Sequence, residues 1–185
     1  EMTAWRRHLH AHPELGFDCV QTAAFVVERL RAFGVDEIHE GIARTGVVAL
    51  ITGQGAGPVI GLRADMDALP IHEATGLDFA SERPGTMHAC GHDAHTASLL
   101  GTAHLLSRLR DEVHGHVRFL FQPSEEVVPG GAKFMIEEGA LDAQPTSPAP
   151  EAVFGQHVAP NLPVGTIGVR SGMYMASADE LHVTL

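Results

Sequence analysis

The residues between 87 and 95 bring together more chemically useful side chains than any other stretch of the chain. Their sequence, MHACGHDAH, contains one thiol, three imidazoles and a carboxylate. Thiolates and neutral imidazoles are the preferred protein ligands of zinc and other late divalent metals. Cys90 and His92 are two positions apart, so an extended backbone points both the same way, and Gly91 allows the turn that lets both reach one ion. The stretch therefore predicts half of a metal site.

Side chains that can bind metals also follow three segments that we predict to be strands. They are Asp65 and Asp67, then Glu125 and Glu126, and finally His157. In open α/β sheets, functional sites gather outside the carboxyl ends of the strands. We therefore expect these distant segments to converge with the cysteine–histidine motif on one crevice.

The adjacent pair Glu125 and Glu126 suggests a division of labour. Neighbouring side chains on extended backbone point to opposite sides, so one carboxylate can bind a metal while the other faces a substrate. A metal lowers the pKa of its bound water towards neutrality, and a nearby carboxylate can carry the released proton to a leaving amine. The spacing does not show which glutamate has which role.

Helices and strands alternate along the chain and place these residues at element ends. Helices are predicted at residues 3–11, 96–109 and 131–138, and another begins at a capping box of Asp18 and Gln21 and stops at Gly34. Strands are predicted at 47–51, 59–62, 117–121, 152–157, 165–170 and 180–185. This alternation predicts an α/β fold, a layered sandwich with a mixed, largely parallel sheet.

The composition is that of one acidic globular domain. The 185 residues carry a net charge of −11 with a single lysine, Lys133, which argues against nucleic acid or an anionic membrane as the main partner. No apolar stretch is long enough to cross a bilayer. Two cysteines, Cys19 and Cys90, without a secretory leader indicate a cytoplasmic protein whose thiols stay reduced.

Taken together, the motifs resemble a known family. The chain is similar to the aminoacylase and hippurate-hydrolase branch of the dinuclear metal exopeptidases, which includes the auxin-conjugate hydrolases. The matching stretches occur in family order and lie at residues 6–10, 12–17, 62–70, 87–95, 121–126 and 155–157. Any one of these stretches would be weak evidence for the family, but together they are highly specific for it.

The resemblance implies a role for each candidate residue in a zinc-exopeptidase-like catalytic domain. The implied metal ligands are Cys90, His92, Glu126 and His157, with Glu125 as the general base. Asp67 would support the metal centre without binding it. Two divalent cations are implied, Mn²⁺ or Zn²⁺, with Ni²⁺ or Co²⁺ also compatible with these ligands.

The resemblance further implies an amidohydrolase that cleaves the amide bond of N-acyl amino acids of the hippurate, N-acetyl or auxin-conjugate type. Relatives of this kind are roughly twice as long, carry an inserted lid or dimerisation domain, and form homodimers. We therefore expect residues 1–175 to be the N-terminal part of the catalytic domain and 176–185 to begin the lid. A further histidine ligand would lie beyond Leu185, so these residues would hold most of the site.

Two other functions fit the same residues. Cys90 could be the nucleophile of a cysteine hydrolase that uses a histidine base. Alternatively, the chain could be a truncated module that binds metal without turnover. For His95 we expect packing on the helix face or support of a ligand in preference to direct metal binding.

Overall fold

The computed structural model describes residues 1–175, in which five strands and four α-helices form a layered structure. The helices are α1 (Met2–Ala11), α2 (Val20–Phe33), α3 (His92–Arg108) and α4 (Gly131–Glu137), with a short 3-10 helix at Arg110–Glu112. The strands are β1 (Glu37–Ile42), β2 (Gly46–Thr52), β3 (Gln54–Asp65), β4 (His114–Gln122) and β5 (Ala152–Gly155).

The five strands form one mixed sheet in the order β1-β2-β4-β3-β5. The β1–β2 and β2–β4 pairs are antiparallel, whereas the β4–β3 and β3–β5 pairs are parallel. The predicted α/β fold with a mixed sheet is therefore confirmed, although parallel pairing accounts for two of the four strand pairs and the sheet is not largely parallel. In the parallel half, Asp65 pairs with Gln122 and Arg63 pairs with Gly155, so β3, β4 and β5 all end at the same edge.

Helices cover both faces of the sheet. On one face, α2 and α3 pack against β2 and β4 around a core of buried apolar side chains, among them Val26, Leu30, Ile51, Leu100, Phe119 and Phe121. On the other face, α4 and the residues after it cover a smaller cluster of Ala43, Val48, Leu120, Met135 and Ala140. Of the helices within residues 1–175, none has the length and apolar character needed to cross a membrane.

The second predicted helix is confirmed, but its N-terminal cap is not the predicted one. Gly34 ends α2 in the left-handed conformation, with φ of 71°, as expected. At the other end, Asp18 makes no capping bond and instead pairs with Arg44 at the surface. The buried carboxylate of Glu14 accepts the backbone N–H groups of Gln21 and Thr22 at 3.2 and 2.8 Å. The capping box was therefore wrong, because a more distant carboxylate satisfies the same donors.

The predicted strands have mixed outcomes. Those at 47–51, 59–62 and 117–121 are confirmed within longer strands, and the strand at 152–157 is confirmed over Ala152–Gly155. No strand forms at 165–170, where Ile167 and Val169 are almost fully exposed, so their alternating pattern meets no partner strand in the described structure. The segment 180–185 lies outside the described residues. β1 was missed because its outer positions are charged and exposed.

Candidate metal centre

Residues from three loops, the end of β3 and the helix α3 meet at the carboxyl edge of β3, β4 and β5. Three sets of potential ligand atoms each lie within 4.8 Å of one another, and His92 belongs to all three. The sets are Cys90, His92 and His157; His92, Glu125 and Glu126; and Asp65, His92 and His95. The structure thus brings together all the residues singled out as ligands or base.

His92 is the buried centre of the cluster, at the first position of α3. Its Nδ1 donates to the backbone carbonyl of Asp67 at 2.8 Å, and a carbonyl can only accept, so Nδ1 carries the proton. In the neutral ring Nε2 is therefore a free acceptor. Among the described residues it has no hydrogen-bond partner, and it faces an equally unpartnered Oε1 of Glu126 at 3.6 Å.

Glu125 and Glu126 both approach His92, although extended backbone would have pointed them to opposite sides. Their carboxylates lie 3.8 and 3.6 Å from Nε2 of His92. The chain leaves the extended conformation at Ser124, whose φ is 51°, and this turn brings both side chains into the crevice. Glu125 is the more exposed, with 42% of its side chain accessible against 19% for Glu126.

Asp67 holds the glutamate turn in place. Its buried carboxylate accepts the backbone N–H of Glu125 at 2.9 Å and that of Glu126 at 3.1 Å. Both oxygens are thus engaged with main-chain donors, and none of these bonds involves a ligand atom. Asp67 can therefore support the cluster without binding a cation.

Cys90 and His157 form the exposed side of the cluster. The Sγ of Cys90 lies 3.3 Å from Nε2 of His157, while Nδ1 of His157 donates to the carbonyl of Val158 at 2.7 Å. Burial, and then the neighbouring Glu126, raise the pKa of the Cys90 thiol to about 12. Such a thiol remains protonated at neutral pH unless a cation stabilises the thiolate.

His95 and Asp65 form a buried pair beneath the cluster. The Nδ1 of His95 donates to Oδ1 of Asp65 at 2.7 Å, and its Nε2 accepts the backbone N–H of Val158 at 2.9 Å. Burial would raise the pKa of Asp65, but the bond from His95 and the charge of Arg63 lower it to about 2. Because both ring nitrogens of His95 are engaged, it offers no free lone pair to a cation in this arrangement.

A second buried network lies behind the first turn of α3 and was not anticipated from the sequence. Asp93 accepts from Nε of Arg6 and from Nδ1 of His10, both at 2.7 Å, and the other nitrogen of His10 lies 3.2 Å from Glu73. Arg6 and His10 are four positions apart on α1, a spacing that places both on one helix face. The network ties α1 to the start of α3, next to His92.

The donor set fits divalent cations. Four carboxylates, of Asp65, Asp67, Glu125 and Glu126, surround His92, and only Asp65 is paired with an arginine, through Arg63 at 2.6 Å. A buried acceptor on His92 facing a buried carboxylate oxygen is costly unless a cation or donor lies between them. Thiolate, imidazole and carboxylate together suit zinc and other late divalent metals.

Comparisons with known proteins link the chain to a peptidase family. Residues 61–184 match the family model of peptidase family M20/M25/M40. The chain is 48% identical over 185 residues to an N-acyl-L-amino acid amidohydrolase of Geobacillus stearothermophilus and 49% identical over 180 residues to an N-acetylcysteine deacetylase of Bacillus subtilis. The matches cover 100% and 97% of this chain but 48% and 46% of the relatives, so the chain spans about half their length.

A solved structure shows the same fold. The YXEP protein of Bacillus subtilis, described as a dinuclear metal binding peptidase from the M20 family, superposes with a TM-score of 0.85 at 50% sequence identity. The match covers 92% of this chain and 46% of that one. Sequence and fold agree, and the chain belongs to peptidase family M20/M25/M40.

Proposed function

We propose that the protein is a metal-dependent amidohydrolase that cleaves the amide bond of N-acyl amino acids. The observation that carries this proposal is that Nε2 of His92 and Oε1 of Glu126, which have no hydrogen-bond partner within residues 1–175, face each other at 3.6 Å beside the Cys90–His157 pair. These atoms are oriented for a cation, and the named relatives act on N-acyl amino acids.

Cys90, His92, Glu126 and His157 are the proposed ligands of two divalent cations. When bound, such cations polarise an amide carbonyl and lower the pKa of water. The thiolate favours Zn²⁺, Ni²⁺ or Co²⁺, while the carboxylates also tolerate Mn²⁺. The tautomers support this assignment, since His92 and His157 each use Nδ1 as a backbone donor, which leaves Nε2 of each ring as the lone pair that can bind a cation.

Glu125 is the proposed general base. Its carboxylate is half-exposed at the open side of the cluster, and burial together with the charge of Glu126 raises its pKa. It takes a proton from water as the water oxygen bonds to the acyl carbon. It then gives that proton to the amide nitrogen as the C–N bond breaks, releasing a carboxylic acid and a free amino acid.

The proposed substrates are small N-acyl amino acids, such as N-acetyl or hippurate-like compounds. We further propose that residues 1–175 are the N-terminal part of a catalytic domain and that 176–185 begin a lid. Because the chain spans about half of its relatives, a complete site and a homodimer would need residues beyond Leu185. For residues 1–185 alone, the alternative is a module that binds metal without turning over a substrate.

A cysteine hydrolase is less compatible with the site. A nucleophilic cysteine needs a lowered pKa, usually from a neighbouring cation or imidazolium. Burial and nearby carboxylates instead raise the pKa of Cys90 to about 12. Without a bound cation, Cys90 would therefore be a poor nucleophile at neutral pH.

The test combines elemental analysis with hydrolysis of hippurate and N-acetyl amino acids. We expect the wild type to contain a divalent metal, to lose activity on chelation, and to recover it with Mn²⁺ or Zn²⁺. Cys90→Ser and Glu126→Ala should lose metal and activity together. Glu28→Ala is the matched control, because this α2 side chain is 68% exposed and far from the cluster in sequence.

Other outcomes would decide for the alternatives. Activity that survives chelation but disappears on thiol alkylation would establish the cysteine hydrolase. Bound metal without turnover of any acyl amino acid would establish the binding module. Metal content unchanged in both site variants would refute the ligand assignment.

A further inference from the structure

We propose that His95 is a positioning residue that fixes His157 for cation binding by holding the backbone of Val158. This inference rests on the proposed role of His157 as a ligand. His95 itself would contact neither the cation nor the substrate.

His157 is exposed, so a group outside the sheet must fix its orientation. β5 ends at Gly155, and residues 155–160 are all exposed, so no sheet pairing orients the ligand. The backbone of Val158 is instead held at both its N–H and its carbonyl. Its N–H donates to Nε2 of His95 at 2.9 Å, and its carbonyl accepts Nδ1–H of His157 at 2.7 Å.

His95 is rigid enough to serve as an anchor. Its side chain is fully buried, and its Nδ1–H donates to Asp65, which is itself held by Arg63 and lies at the end of β3. The hydroxyl of Thr96 also donates to the backbone carbonyl of Asp65 at 2.8 Å. With Asp65 held in this way, the bond from Nδ1–H of His95 to its carboxylate fixes the tautomer of His95, so Nε2 is the acceptor. The sheet thus positions an exposed ligand through one buried imidazole.

Packing on the other side of Val158 reinforces this contact. A Cβ at Gly91 would lie 2.5 Å from Cγ2 of Val158, so the valine rests directly on the glycine that separates Cys90 from His92. The rings of His95 and His157 also meet nearly edge to face, with centroids 4.7 Å apart. Holding Val158 therefore sets the 3.3 Å separation between Cys90 and His157.

Two amide substitutions in the full-length protein separate the two bonds of His95. The amide nitrogen of asparagine occupies roughly the place of Nδ1, so His95→Asn can keep the bond to Asp65 but loses the acceptor for Val158. The amide oxygen of glutamine occupies roughly the place of Nε2, so His95→Gln can keep Val158 but loses Asp65. If the contact with Val158 positions His157, the glutamine variant should keep its affinity for Zn²⁺ and the asparagine variant should lose it.

The measurements are Zn²⁺ affinity, by competition with a chromophoric chelator, and the thiolate-to-metal absorption of the Co²⁺ form. We expect His95→Asn to weaken Zn²⁺ binding by about 10- to 100-fold, the usual effect of removing a partner that orients a ligand. It should also alter the Co²⁺ spectrum, while His95→Gln should stay within a few-fold of wild type. Equal losses in both variants, or a greater loss in His95→Gln, would overturn the proposal.

Backbone variants keep the test decisive if His95→Asn does not fold. Val158→Pro removes the donor N–H, and Val158→Ala is the control, because it loses the same isopropyl packing on Gly91 but keeps the donor. We expect the proline variant to lose more Zn²⁺ affinity than the alanine variant, and equal affinities would overturn the inference. His157→Ala separates the two proposals: if it lowers metal affinity while His95→Asn and Val158→Pro do not, only the positioning role fails.

Discussion

The backbone carbonyl of Asp67 accepts the Nδ1 proton of His92 over 2.8 Å, and this bond directs the free Nε2 towards the glutamates. The side chain of Asp67 simultaneously holds the backbone of those glutamates, Glu125 and Glu126. One residue therefore orients both sides of the cluster, its main chain acting on the imidazole and its carboxylate on the glutamate turn.

Replacing the side chain of Asp67 tests the second of these roles, because the backbone carbonyl that binds His92 remains. Asp67→Ala leaves the N–H groups of Glu125 and Glu126 without acceptors, so we expect a loss of about 1–3 kcal/mol in unfolding free energy. The freed turn should also weaken metal binding. Urea unfolding of the metal-free protein and elemental analysis would measure the two effects. Asp18→Ala, at an exposed carboxylate, is the control, and an Asp67→Ala variant as stable as that control would contradict the prediction.

The two glutamates should respond differently to the same isosteric change. Glu125→Gln should keep the cations but lower kcat by about 10²- to 10⁴-fold, the usual contribution of a general base. Glu126→Gln should lose cations, because its buried oxygen faces His92 and has no hydrogen-bond partner among the described residues. Metal content and kcat of both variants would be measured together. The reverse pattern would show that Glu125 is the ligand and Glu126 the base. Full activity in Glu125→Gln would show that Glu125 is not the general base.

The cap of α2 gives a prediction that is independent of the metal. Glu14→Ala removes the acceptor for two N–H groups at the start of the helix and should lower the unfolding free energy by about 0.5–2 kcal/mol. Asp18→Ala, at the position that the sequence pattern favoured, removes only a surface ion pair and should cost little. Chemical unfolding of both variants would compare them. A larger loss of unfolding free energy in Asp18→Ala than in Glu14→Ala would support the predicted capping box.

Cys19 should make stability depend on pH at the alkaline end. Burial raises the pKa of its thiol, so the folded protein keeps a proton that the unfolded chain releases above about pH 8.5. The unfolding free energy should therefore fall as pH rises beyond that value, by up to about 1.4 kcal/mol per pH unit. In Cys19→Ala this part of the slope should disappear. Unfolding curves between pH 7 and 10 would show it, and identical slopes would refute it.

Much of the architecture could be predicted because it depends on local patterns. The spacing of apolar residues in α2 and the left-handed stop at Gly34 are properties of a few neighbouring residues. The apolar runs of β2 and β4 likewise predict buried strands. Where a local pattern meets no partner strand within residues 1–175, as at 165–170, the prediction was wrong, since a strand needs a second strand to satisfy its backbone.

The candidate site divides in the same way. The types of Cys90, His92, Glu126 and His157 already indicate a metal site, because ligand chemistry belongs to the side chain itself. The orientation of these side chains, in contrast, does not follow from their types. Whether a histidine has a free nitrogen depends on its other contacts, and the bond between His95 and Val158 joins residues 63 positions apart.

The sequence by itself therefore determined the class of chemistry and the order of most elements, since both follow from residue type and near neighbours. Only the tertiary structure decided which imidazole nitrogens remain free, which carboxylate holds the glutamate turn, and which one caps α2. The physical reason is that a buried donor or acceptor must find a partner in space, and sequence separation does not limit where that partner lies.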